Sequence, residues 1–187
     1  MDNEQQQQQN DIYHFEQALA ADLTQYLLSH HLIDAHLPDA PDLEQLWPTL
    51  AQAYLPDALR EMNAYPVTTL GWMMYIGMAM ARYWDDDWAV YSAVPGNLYE
   101  YMLRKTDYDH LDEYISSHVL MLSDADAEAL SALVAECASR TLHALSHAPF
   151  EAGTPQAFRA FIAALHTLYR FGLFIELRTL GYHMTQL

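Results

Sequence analysis

The sequence contains a single cysteine, Cys137, so no intramolecular disulfide can form. Cations are scarce: eight lysines and arginines stand against 25 aspartates and glutamates, a formal net charge of −17. That balance argues against nucleic acid and anionic membrane as partners, because phosphate is gripped by clustered Lys and Arg. Glycine is limited to six residues, and no alternating apolar run is bounded by turn residues, so strands are not expected. There is no basic stretch leading into an apolar segment at the N-terminus, the pattern of a secretory signal. There is also no glycine-rich phosphate loop, no GxGxxG fingerprint, no GxSxG elbow and no HExxH pair. These absences make a cytoplasmic location without a cofactor the expectation.

Hydrophobic residues make up 52% of the 187 residues, enough for one substantial core. The pattern predicts an all-α fold: a single-domain bundle of about six or seven helices around a buried central helix, Pro66 to Ser92. Residues 11–187 form that domain. Residues 1–10, with the run Gln5–Gln9, are expected to be disordered or frayed, or to extend the first helix. Within the central stretch the apolar residues cover several faces. Met73, Gly77, Met80, Trp84 and Trp88 form one row, and Leu70, Met74, Met78 and Ala81 another. A helix apolar all round is buried in a bundle or in a bilayer. Its uninterrupted apolar part is roughly 15 residues where a span needs about 20, which favours the bundle.

The flanking helices follow from spacing and caps. Asp11–Leu32 carries a stripe of Ile12, Phe15, Leu19, Leu23 and Leu27. Asp42 is placed as N-cap of a helix ending near Tyr54, and Pro56 as the start of a short helix Asp57–Met62. Asn97, Ser123 and Thr154 are read as N-caps, the last followed by Pro155 at the first helical position. Leu111–Leu122 reads as one helix, and the last helix runs to about Tyr182 on a stripe of Phe158, Ile162, Leu165, Tyr169, Gly172 and Glu176.

Three groups of polar residues stand out. Asp85, Asp86 and Asp87, between Trp84 and Trp88, interrupt the central helix and oppose its C-terminal dipole. With Arg82 they form a candidate ligand or partner site, read beside the plainer alternative of a solvated acidic turn. Two arrangements relieve the charge: Arg82 reaches Asp86 at i,i+4, or the helix breaks and one aspartate caps the short segment after it. Glu176 is the second feature. A carboxylate on an apolar stripe must be paired, hydrogen-bonded or protonated, and Arg82 is its first candidate partner in a buried ion pair. Third, His143 and His147 at i,i+4 could chelate a metal ion with His166 as a further ligand. No Glu-x-x-His motif accompanies them, so a di-iron site is not expected. Cys137 sits in an apolar helix and reads as a small core residue.

No pattern here requires catalysis. The expectation is a non-enzymatic protein-interaction or self-associating module, a homo-oligomer or a binder of a basic partner. Thirteen tyrosines, four tryptophans and nine methionines exceed what one small core is expected to hide, and such residues favour interfaces. Two alternatives stand beside it. One is an acidic inhibitor or immunity-type protein that neutralises a basic partner. The other is a metal-dependent enzyme using Asp85–Asp87 or His143/His147.

Overall fold

The computed structural model describes residues 2–182. In chain order its helices are α1 (Asp2–Ser29), α2 (Pro41–Glu44), α3 (Trp47–Glu61), α4 (Pro66–Tyr91), α5 (Leu98–Leu103), α6 (Leu111–Tyr114), α7 (Asp124–Ser146) and α8 (Pro155–Thr179). A π-helical turn, Ile115–Val119, follows α6. No strand occurs among the described residues. The chain is a single all-helical domain packed around α4, as the periodicity predicts.

The central pair is α4 and α8. They cross where each carries a glycine. A Cβ on Gly77 would overlap the carbonyl oxygen of Tyr169, and a Cβ on Gly172 would overlap that of Met74. The two backbones therefore touch, each through the side chain the other lacks. Farther along both helices Arg82 faces Glu176 and Asp85 faces Tyr182, so the two run in the same direction. α7 approaches α4 at a third glycine: a Cβ on Gly71 would come within 2.9 Å of Val134 Cγ1. α1 adds Leu19, Leu23 and Leu27 to the same core.

Part of the aromatic and methionine content lies in the core, and more packs against it half-buried. Tyr54, Tyr75, Tyr99 and Tyr169 are fully buried, as are Met73, Met74, Met78, Met80 and Met102. A buried tyrosine needs a partner for its hydroxyl. Tyr54 donates to the Thr69 carbonyl, Tyr169 to the Leu43 carbonyl at 2.6 Å, and Tyr99 to the Asp57 carboxylate. Large apolar side chains that stay exposed are scattered, among them Tyr13, Leu59, Tyr65, Met121 and Phe158. Composition alone is therefore a weak argument for an interface here.

Three caps fall where the sequence places them: Asn97, Ser123 and Thr154 each accept the backbone N–H three residues on. Of the two forms expected for the glutamine run, it is not disordered or frayed but extends the first helix: α1 begins at Asp2, with Gln7 donating to Asp11 at i,i+4 and Asp2 and Glu4 placed favourably in the first turn. Three other expectations need correction. Ala40, not Asp42, precedes α2, because Pro41 takes the first helical position its fixed φ suits. Pro56 does not start a helix; α3 runs through it. Leu50, Tyr54 and Ala58 are buried on one face of α3, so packing on both sides outweighs the single backbone hydrogen bond the proline removes. Finally, Leu111–Leu122 is not one α-helix. It widens into the π-helical turn, which buries Ile115, Ser116 and Val119 together.

By length and composition one described helix could cross a membrane, and it is α8 rather than α4; 83% of its apolar window is buried inside the fold.

The glycine crossing sets a clear expectation. Gly77→Ala and Gly172→Ala each force backbone apart from backbone and should cost about 3 kcal/mol or more in urea unfolding. Gly71→Ala meets only the tip of a side chain and should cost clearly less. Equal midpoints for all three variants and the parent would show that the helices do not depend on this contact.

Candidate functional site

The acidic triplet does not converge on one point. Asp85 accepts the Tyr182 hydroxyl at 2.7 Å. Asp86 lies 3.4 Å from Arg82 Nε. Asp87 has extended backbone, φ −164°, where α4 breaks, and its carboxylate accepts the Val90 N–H at 3.3 Å. Both ways of relieving the acidic run are thus used at once. The flanking tryptophans also part. Trp84 packs edge-on against Tyr182 in a small slot closed by Pro38 and Pro41, whereas Trp88 lines a shallow cavity beside Met80 and Tyr91.

Arg82 and Glu176 do meet: Nη1 stands 3.4 Å from Oε1. The contact is long, and Nε is buried without a hydrogen bond even though Asp86 is near. One guanidinium is shared between two carboxylates and satisfies neither closely. Burial pushes the Glu176 carboxyl up to about 7; Arg82 opposes that rise, while Asp85 and Asp86 add to it.

Glu176 also lines a groove of about 610 Å³. α1 contributes Tyr26, and the turn after it His30 and Leu32. α7 contributes Asp126, Ala129, Leu130 and Leu133, and α8 adds Ile175 and Thr179. Leu120 and Leu122, just past the π-helical turn, form one wall. Met78, Leu120, Ile175 and Glu176 are its buried members. The backbone at both ends of this groove is unusual. His31 and Met121 have φ of 58° and 56°, the left-handed region that glycine adopts without penalty. Each sits between two residues that line the groove. At the end of α1, Leu32 N–H bonds the Leu27 carbonyl and His31 N–H the Leu28 carbonyl, a helix closure that normally uses glycine. The same closure after α8 does use one, Gly181, at φ 91°. The π-helical turn ends against the groove as well, and such turns gather at functional sites.

The histidines expected to share a metal are separated in role. The rings of His143 and His147 lie 4.0 Å apart, and His147 Nδ1 is 2.9 Å from the His143 carbonyl, to which it donates. His166 instead donates to Glu44 Oε2 at 3.0 Å and stacks on Trp47. Among the described residues no group of three or more His, Cys, Asp or Glu is arranged to hold a metal ion. Cys137 is fully buried, and burial pushes its thiol up to about 12.

Sequence reasoning finds Glu176 and Arg82, because each breaks an apolar row. It misses His31, Met121 and the π-helical turn. No glycine or asparagine marks either left-handed position, so the sequence carries no signal for them. No family model matches the chain, and neither a curated protein nor a solved structure does.

Two outcomes follow for the isolated protein. Glu176 binds its proton more tightly folded, at about 7, than at its ordinary 4.5. The folded state therefore keeps a proton that the unfolded chain releases between those values. Stability from this group falls as pH rises through that window and levels off above it, by about 3 kcal/mol in all. Glu176→Gln should flatten the profile of urea midpoints between about pH 5 and pH 8; parallel profiles for variant and parent would contradict the assignment. Cys137, buried and protonated, should react with Ellman's reagent only after unfolding.

Proposed function

We propose that the protein is a non-enzymatic binding module, and that its groove holds an apolar, basic helix of a protein partner. The observation that carries this reading is the convergence of local irregularities on one place. Two left-handed non-glycine residues and a π-helical turn all frame the groove, and strained backbone persists where surrounding structure has a use for it. The α7 wall supports a helical occupant. Asp126, Ala129, Leu130 and Leu133 form an accessible stripe at helical spacing beside Ile175 and Leu122, the kind of surface that receives an amphipathic helix by its apolar face. The net charge of −17 and the two carboxylates in the groove favour a basic partner through steering and complementarity. A second copy of this chain suits the groove less well. Its cations are few, and Arg60, Arg82, Arg140, Arg170 and Arg178 already face carboxylates.

A synthetic helical peptide of leucine and lysine repeats is the probe, with its leucine–glutamate counterpart as control, read by fluorescence anisotropy. The basic peptide should bind and weaken as salt rises. Leu130→Gln and Leu133→Gln leave the charge unchanged and should weaken it at least tenfold while helical circular dichroism is retained. Asp109→Asn, at an exposed position on the α6 side, should leave binding intact. If Asp109→Asn weakens the peptide as much as the groove variants do, the attraction is diffuse and the reading fails. If light scattering finds a dimer that Leu130→Gln dissolves, the occupant is a second copy and the basic-partner reading falls.

A further inference from the structure

We infer that the groove recognises a primary ammonium, a lysine side chain of the occupant seated on the Glu176 carboxylate. This rests on the groove being a binding site and specifies what it selects.

The electrostatics around Glu176 are incomplete. From α4 it faces Arg82, with Asp85 and Asp86 beyond; across the groove lie Tyr26 of α1, His30 in the turn after it and Asp126 of α7. The one permanent cation in that set is divided between Asp86 and Glu176 at 3.4 Å each. The set therefore carries an excess of negative charge next to an apolar channel. An anionic head group meets repulsion, and a neutral chain gains only burial. A cation gains both, provided its charge travels on an apolar stem.

Lysine fits better than arginine. Its four-carbon stem can lie along Leu130, Leu133 and Ile175, and its compact ammonium needs a single carboxylate oxygen, whereas a planar fork would need both and Arg82 already faces Oε1. A second acceptor is at hand: the Thr179 hydroxyl donates to the Ile175 carbonyl at 3.0 Å, which leaves its lone pairs free to receive an ammonium N–H. Seating the ammonium favours the ionised carboxylate, so the Glu176 proton passes to solvent as the cation enters. The charge of the site is conserved through that exchange.

The 187-residue protein is titrated calorimetrically with n-hexylamine, n-hexanol and hexanoate, in two buffers of different ionisation enthalpy. Hexylamine should bind with release of close to one proton at about pH 6 and little at about pH 8. Its affinity should rise about tenfold between those values, following deprotonation of a carboxyl near 7. Hexanol should bind weakly without proton release, and hexanoate should not bind. Glu176→Gln should lose the preference for the amine and the proton release. His30→Gln, which removes the imidazole from the groove, should keep both. Equal affinity for hexylamine and hexanol, or proton release that survives Glu176→Gln, overturns the inference. The basic peptide separates this from the broader reading. If it binds and Leu130→Gln weakens it, yet Glu176→Gln changes neither affinity nor proton release, the groove stands and ammonium recognition falls. If hexylamine behaves as described while the peptide fails to bind, the ammonium site stands and the helical occupant falls.

Discussion

Everything in this fold depends on how closely α4 and α8 approach. Gly77 and Gly172 let backbone meet backbone, and a helix pair that close leaves no room for water between the facing residues. The consequences appear one turn further on. Glu176 follows Gly172 by four residues and so lies on the same face of α8. Arg82 follows Gly77 by five. Since the helices run in the same direction, the crossing carries these two side chains toward each other at a depth where an unpaired carboxylate would be costly. The ion pair is thus a product of the glycine contact. A wider crossing would hydrate Glu176 and return its carboxyl toward the ordinary range.

The second constraint is the shortage of cations. With eight of them against 25 acids, each arginine placed between elements has a structural task. Arg140 joins α7 to Asp22 of α1, Arg170 joins α8 to Glu44 of α2, and Arg178 joins α8 to Asp34 beyond α1. These pairs are half-exposed, where ion pairs contribute about 0–1 kcal/mol each. They orient elements more than they stabilise them. The one arginine drawn into the core is Arg82, and it serves two carboxylates. That leaves the neighbourhood of Glu176 short of positive charge, whereas the rest of the surplus acid faces solvent.

How much of this is legible in the sequence depends on whether the determinant is local. The all-helical class, the caps at Asn97, Ser123 and Thr154, and the isolation of Glu176 and Arg82 among apolar neighbours follow from spacing and side-chain chemistry. Pro56 misleads because local propensity favours a helix start there, while burial of Tyr54 and Ala58 on either side keeps α3 continuous. The tyrosine count is hard to read for a related reason. Whether a tyrosine can be buried turns on a carbonyl or carboxylate from a distant segment, as Leu43 serves Tyr169. The groove is the least legible feature. Its walls come from α1, α7, α8 and the segment after the π-helical turn, and only the tertiary fold places them together. Gly77 and Gly172 are visible as members of apolar rows, but nothing in either row shows that they face one another.

The groove also works against the stability of the molecule that carries it. A left-handed non-glycine residue costs about 1–2 kcal/mol, and the groove has one at each end. Glu176 adds about 3 kcal/mol at pH values where it is forced to ionise. Against a typical total of roughly 5–15 kcal/mol, this is a large fraction lodged in one place. Glu176→Gln, which keeps an acceptor for Arg82, together with His31→Gly and Met121→Gly would relieve it without disturbing the α4–α8 crossing. A bundle selected for packing alone has no reason to keep these features. The proposed cationic, apolar partner would give each a reason: open walls to admit the stem, turns that keep Leu32 and Leu122 on the rim, and a carboxyl that gives up its proton when the cation arrives.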